Sequence, residues 1–314
     1  MKIIPRKFIM ICVGVFGLLI LSTTCSSPTL PTERLTATSI LVSDTYTPEE
    51  SPESVKASPT SEATITLTNT IEPTYTSLPT LPHELSYNHV IDLLDNNAGC
   101  LLPCWWGFTP GETKWILAKN ELDAFVTSIK QGGSGYVTED GVSYSITNYS
   151  VEYEYEGDLT GGQSLYGLKN GIISGIEVGP PSTYRSYQLH QLMSTYGKPE
   201  EVFLVVATST AYGGTPFNLI IAFPSKGIMA MYSDEAKEKG NKFEVCPQDI
   251  GPKLWLWSPE EILTLDDLEP LGPGDTFLLK PIDVIPDMDL EAFYDTYKDP
   301  GSSFCLDVMA ELWQ

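Results

Sequence analysis

Hydrophobic residues are concentrated at the very start of the chain. Ile9 to Leu21 is an unbroken apolar run that follows the basic residues Lys2, Arg6 and Lys7. The run is about 13 residues long, the length of a secretory signal's apolar region, whereas a membrane-spanning helix needs about 20. The pattern predicts that residues 1–25 form an export segment.

From residue 26 to residue 85 the chain is rich in Thr, Ser, Pro and Glu, with scattered apolar residues and no Cys or Trp. Pro-Thr pairs recur, as at Pro28-Thr29 and Pro79-Thr80. Such a segment cannot bury enough apolar surface to offset the entropy of ordering it. We expect a disordered stalk, either O-glycosylated or an unmodified linker.

The export segment ends in Ser22-Thr23-Thr24-Cys25. A cysteine just after an apolar run resembles the lipobox of bacterial lipoproteins, although Ser22 and Thr24 stand where that family has Leu and Gly or Ala. The resemblance implies a diacylglycerol on Cys25, hence a membrane partner and an envelope location outside the cytoplasm. An uncleaved anchor and a plain signal peptide are the alternatives.

The polar and apolar pattern becomes regular in the region 86–314. Thr109-Pro110-Gly111-Glu112 combines an N-cap, a proline at the first helical position and a capping-box glutamate. Apolar residues then recur at helical spacing, at Trp115, Ala118, Leu122, Phe125, Val126 and Ile129. We predict a helix to about Ile129, ended by Gly132-Gly133.

Alternation of apolar and polar residues follows between 135 and 180, as in Val151, Tyr153 and Tyr155. Lys169-Asn170-Gly171 predicts a hairpin turn, because Asn-Gly tolerates the positive φ values that such turns need. The strands predicted here form an antiparallel meander that ends with Leu165–Leu168 and Ile172–Val178.

A second helix is predicted at Tyr184–Tyr196, ended by Gly197 and Pro199. Strands are predicted after it at Val202–Ala207, Phe217–Phe223 and Gly227–Tyr232. The fold class is therefore α+β, with helices packed on antiparallel β meanders. It is one enlarged unit or two similar ones, 86–180 and 181–245.

The tail 246–314 is predicted to be irregular and pinned by a disulfide. Within it, Ser258-Pro259-Glu260-Glu261 predicts a capping box that opens a short helix, and Asp289 to Lys298 predicts another helix.

The net charge of the chain excludes some classes of binding partner. The chain has 41 acidic against 18 basic residues, a formal charge of -23. A nucleic-acid backbone is bound by Lys and Arg clusters, and no basic run follows Lys7. Nucleic acid is thus not an expected partner, and anionic lipid headgroups are disfavoured for the same reason.

Four cysteines follow the export segment, which allows three pairings. We favour disulfides Cys100–Cys104 and Cys246–Cys305, as exported proteins form such bonds. A redox pair is disfavoured because the spacing is not Cys-x-x-Cys. Zinc is disfavoured because the usual ligand set is missing, so neither a metal nor a cofactor is expected.

No catalytic motif is apparent, and no catalytic residue is assigned. The carboxylates at 283–291 lack the glycine of a calcium loop. Glu260, Glu261, Asp266 and Asp267 are adjacent in sequence, which does not give the carboxylate separation of a glycosidase. Five tryptophans either line a sugar- or peptide-binding surface or anchor the core. They are Trp105, Trp106, Trp115, Trp255 and Trp257.

The block Cys-Leu-Leu-Pro-Cys-Trp-Trp-Gly-Phe-Thr-Pro-Gly at 100–111 resembles a motif of uncharacterised bacterial lipoproteins that carry a low-complexity stalk. Gly-Lys-Pro-Glu-Glu-Val at 197–202 is similar to theirs too. The resemblance implies no known activity. The helix–Gly-x-Pro–strand pattern also resembles small outer-membrane assembly lipoproteins, which would imply a protein-binding scaffold.

The sequence favours a surface-tethered, non-enzymatic module that binds an envelope protein or glycan. The alternative is a hydrolase of cell wall or polysaccharide that uses paired carboxylates. A purely structural role in the envelope is the third expectation.

Overall fold

The computed structural model describes residues 78–139, 142–155, 161–207, 214–261, 263–268, 270–271, 278–301 and 304–313. All of them belong to the compact unit Ile71–Gln314. The export segment, Cys25 and most of the stalk lie outside these ranges. Within the described ranges, no helix is both long and apolar enough to span a bilayer.

Five helices and twelve strands make up the described structure. The helices are α1 (His83–Asn96), α2 (Trp115–Leu122), α3 (Leu189–Tyr196), α4 (Leu265–Leu268) and α5 (Leu290–Tyr297). The first strands are β1 (Ser128–Glu139), β2 (Val142–Tyr153), β3 (Gly162–Lys169), β4 (Ile172–Val178), β5 (Glu201–Val206), β6 (Pro216–Phe223) and β7 (Ile228–Glu235). The last are β8 (Lys237–Lys239), β9 (Lys242–Val245), β10 (Lys253–Trp257), β11 (Lys280–Pro281) and β12 (Leu306–Met309).

Nine strands form one antiparallel sheet in the order β1-β2-β3-β4-β10-β7-β6-β5-β11. The two predicted meanders, β1–β4 and β5–β7, are therefore halves of a single sheet. The strand that joins them, β10, comes from the tail and pairs with β4 on one side and β7 on the other. The α+β prediction is confirmed.

The two faces of this sheet are covered differently. The main hydrophobic core lies on one face, where α1, α2, α3 and α5 contribute buried residues such as Leu94, Leu122, Leu192 and Phe293. A smaller cluster lies on the other face, where Leu263, Leu265 and Leu268 cover Trp255 and Trp257 of β10. The rest of that second face, mainly on β2, β3 and β4, is covered by none of the described helices; we call it the open face.

Both predicted disulfides are present. Cys100–Cys104 closes a loop of the segment before α2. Cys246–Cys305 joins the residue after β9 to the residue before β12, and these strands pair in a small sheet of order β12-β9-β8. The tail is thus disulfide-pinned, and it is more regular than the sequence suggested.

The helix predicted from Thr109 to Ile129 is wrong at both ends. The observed helix α2 begins at Trp115, because the segment before it pairs with the turn between β3 and β4. The nitrogen of Gly111 donates to the oxygen of Ile173 at 2.7 Å, and the nitrogen of Trp115 donates to the oxygen of Gly171 at 2.9 Å. The glycines 132 and 133 do not end a helix; they lie at a bulge within β1.

Two other predicted helix starts are also displaced. α3 begins at Leu189 rather than Tyr184, after a single 3-10 turn at Arg185–Tyr187. Ser258 caps only a turn, and the capping box of the following helix is formed by Thr264 and Asp267. Their reciprocal bonds run from Thr264 N to the Asp267 carboxylate at 2.7 Å and from Asp267 N to Thr264 Oγ1 at 3.4 Å.

Candidate functional site

Three of the five singled-out tryptophans lie in the helix-covered core. Trp105, Trp106 and Trp115 are buried, with at most 6% of any of them exposed. The rings of Trp105 and Trp106 stack at 5.3 Å, and Trp106 meets the Tyr153 ring of β2 edge-on at 4.7 Å. These indoles are core anchors that attach the disulfide loop to the sheet.

Trp255 and Trp257 lie on the opposite side of the sheet. Alternate residues of β10 face opposite ways, so Leu254 and Leu256 enter the main core while the two indoles lie on the second face. Trp257 Nε1 donates to the backbone oxygen of Glu261 at 3.2 Å and so holds the covering segment in place. The indole nitrogen of Trp255 has no hydrogen-bond partner among the described residues.

Strand register aligns residues of the open face in rows across β2, β3, β4 and β10. One row is Asn148, Gly167, Gly175 and Trp257, and the next is Ser150, Leu165, Glu177 and Trp255. Because two glycines occupy the first row, the sheet surface is low there, between the indoles on one side and Asn148 on the other. This is the floor of a cleft.

The cleft has a volume of about 340 Å³. Leu263 and Leu268 of the covering segment form one wall, and Leu165 forms part of the other. We call this space the glycine cleft and define it by Gly167 and Gly175. Clefts of this kind, with apolar walls and a few polar groups, are the usual form of small-ligand sites.

Two polar side chains converge on the glycine cleft. A Cβ built on Gly167 would lie 3.6 Å from Ser174 Oγ and 3.8 Å from Asn148 Oδ1. Within the described ranges neither side chain has a hydrogen-bond partner. Both are therefore available to a ligand that offers hydrogen-bonding groups above Gly167.

A second cleft of about 490 Å³ adjoins the first and shares Leu165 and Glu177 with it. Lys253 Nζ lies 2.7 Å from a carboxylate oxygen of Glu177 and 4.7 Å from the centre of the Trp255 ring. These contacts fix the charged groups at the boundary between the clefts. Gln163 donates to Ser150 Oγ at 2.7 Å on the same face.

Asp289 and Asp267, two of the acidic residues that the sequence singled out, have structural partners. Asp289 caps α5 by accepting a bond from the nitrogen of Ala292 at 2.8 Å. Bonds from the side chain and backbone of Thr264 lower the pKa of Asp267. Bonds from Lys130 and Ser128 likewise lower the pKa of Glu152 on the open face. A carboxylate with a lowered pKa is a poor proton donor near neutral pH, so these two do not suit the acid of a hydrolase.

The three histidines lie at three separate places in the structure. His83 pairs with Glu154 at 2.8 Å on the surface, His89 packs edge-on against the Phe125 ring at 4.6 Å, and His190 lines a separate cleft beside Cys246. Among the side chains that the structure describes, no three His, Cys, Asp or Glu groups are placed to share a metal ion.

No protein-family model, curated protein or solved structure matches the chain. The lipoprotein resemblance and the hydrolase alternative both stay predictions.

Sequence reasoning missed the residues that shape the glycine cleft. Gly167, Gly175, Asn148 and Ser174 come from three strands and meet only through the sheet register. One signal was present, because a glycine inside a strand often marks a close approach or a binding surface. Gly167 and Gly175 could each have been noted in advance as glycines inside predicted strands. Their position opposite each other on neighbouring strands could not.

Proposed function

We propose that this chain is a surface-tethered, non-enzymatic module of the bacterial cell envelope that binds a glycan in the glycine cleft. The observation that carries the proposal is the convergence of Ser174 and Asn148 above Gly167, beside Trp255 and Trp257. The site offers binding groups without an activated nucleophile.

The chemistry of the cleft favours a sugar. Sugars present hydroxyl groups at their edges and C–H groups on their faces, which suit the Asn148 amide and the Ser174 hydroxyl beside the apolar walls of the cleft. Trp255 and Trp257 are buried under the covering segment and support one of these walls. The ion pair at the boundary of the cleft, Lys253 with Glu177, is internally neutralised. The formal charge of -23 disfavours polyanionic polymers, so the expected ligand is a neutral or amino-bearing glycan.

The test is a substitution that places a side chain in the glycine cleft and keeps the fold. In Gly167→Val the new Cβ meets only ordinary contacts of 3.6 Å or more, and valine suits a strand. We expect affinity for soluble cell-wall glycan fragments to fall by at least about ten-fold in calorimetric titration, with the melting temperature kept or raised. The matched control is Gly133→Val, whose new Cβ would have open space and lies in β1, outside the cleft.

Unchanged affinity of Gly167→Val would exclude the cleft as the site. Binding of peptides but of no glycan fragment would show that the proposed ligand class is wrong.

The tether rests on the sequence: the apolar run, Cys25 and the stalk. If Cys25 carries a lipid, then Cys25→Ser should move the protein from the membrane fraction to the soluble fraction and stop incorporation of labelled palmitate. Ser26→Ala beside it is the control and should keep both properties. Palmitate labelling that persists in Cys25→Ser would exclude this attachment site.

A further inference from the structure

The two edges of the nine-stranded sheet are built differently. At one end β11 has only two residues, Lys280 and Pro281, which pair with Leu204 and Phe203 of β5. A short strand, a lysine and a proline without an N–H are all features that stop a sheet edge from pairing further. At the other end β1 has twelve residues, contains no proline, and pairs only with β2 among the described strands.

The outer part of β1 projects from the sheet. β3 reaches along β2 only as far as Ile146, so Tyr136–Glu139 and Val142–Ser145 form a two-stranded ribbon beyond it. Tyr136 on this ribbon is 83% exposed and Val142 is 52% exposed. A two-stranded ribbon is marginal in water, and a third strand stabilises it.

This edge is also free of charge. Residues 131–138 and 142–151 contain no charged side chain, in a chain whose formal charge is -23. Two copies of so acidic a protein repel each other over most of their surface. A long uncharged strand edge is a surface on which two copies can approach at little electrostatic cost.

We propose that the β1 edge, residues Ser134–Thr138, pairs antiparallel with the same edge of a second copy. Antiparallel pairing of identical strands about a two-fold axis is self-complementary and closes after two chains. The bulge between Gln131 and Ser134 interrupts the earlier part of β1, so pairing is confined to the regular outer part. The two sheets become continuous, and the Tyr136 side chains of both copies lie at the junction. The proposal does not depend on glycan binding.

The test is the oligomeric state of the full chain, purified in detergent, by sedimentation velocity over a range of concentrations. We expect a monomer–dimer equilibrium that Tyr136→Lys weakens by at least about ten-fold, since like charges facing each other across a strand pair are destabilising. Val142→Lys is the matched control; it adds the same charge to the same ribbon on β2, away from the edge, and should weaken the dimer less.

Amide hydrogen exchange gives an independent readout. Exchange at 134–138 should slow as the wild-type concentration rises and should stay fast in Tyr136→Lys. A wild-type chain that sediments as a monomer throughout overturns the proposal. A dimer that persists in Tyr136→Lys also overturns the proposal, because the contact would then lie elsewhere. The same holds if Val142→Lys and Tyr136→Lys weaken the dimer equally.

Discussion

Asn97 fixes the conformation of the disulfide loop more directly than any other residue of that segment. Its side-chain nitrogen donates to the backbone oxygens of Cys100 at 3.0 Å and Cys104 at 2.8 Å, and its oxygen accepts from the nitrogen of Trp106 at 2.7 Å. Its own backbone is left-handed, with φ 51°, a conformation that Asn tolerates better than most residues. The Cys-Trp-Trp block is thus organised by a residue outside it.

We therefore expect Asn97→Ala to lower the free energy of unfolding by about 3 kcal/mol, since three bonds to buried backbone groups are lost. Urea denaturation followed by tryptophan fluorescence measures this. Asn96→Ala, one position earlier on an exposed side chain, should cost much less. Asn97→Asp keeps the oxygen that accepts from Trp106 N but loses the two bonds that the side-chain nitrogen donates. Its cost in unfolding free energy should therefore lie between those of Asn96→Ala and Asn97→Ala. Equal costs for Asn96→Ala and Asn97→Ala would contradict this assignment.

At the scale of single elements, the sequence predicted what is encoded locally. Asn170 and Gly171 have φ values of 53° and 76°, as the predicted hairpin turn requires, and Gly197 ends α3 with φ 84°. Alternation located both ends of β5, β6 and β7 to within three residues. In each case neighbouring residues determine the conformation.

The errors occur where distant segments decide the outcome. Thr109 to Glu112 has every local feature of a helix start, yet it forms only one turn, because Gly111 N bonds to the oxygen of Ile173 and Trp115 N bonds to the oxygen of Gly171. β10 alternates leucine and tryptophan, but its position between β4 and β7 depends on pairings with residues far away in sequence. The glycine cleft could not be predicted for the same reason: it exists only once the registers of β2, β3, β4 and β10 are set.

For the molecule as a whole, the core between the sheet and the helices is rich in buried tyrosine. Among the described residues, burial raises the pKa of six phenolic hydroxyls above the usual value of about 10. They belong to Tyr153, Tyr166, Tyr187, Tyr196, Tyr232 and Tyr297. Above pH 10 the unfolded chain therefore loses these protons while the folded chain keeps them.

This difference makes the fold sensitive to alkali. A group whose pKa is higher in the folded state stabilises the fold fully below its unfolded pKa, and that contribution is lost as pH rises toward the folded value. Each such tyrosine should lower the free energy of unfolding by about 1.4 kcal/mol per pH unit above pH 10. The free energy of unfolding, measured by urea titrations from pH 9 to pH 11, should fall steeply as the pH rises. In Tyr166→Phe this fall should be smaller by about 1.4 kcal/mol per pH unit. Tyr136→Phe, at an exposed position, is the control and should leave the slope unchanged; if the two variants altered the slope equally, core burial would not be its cause.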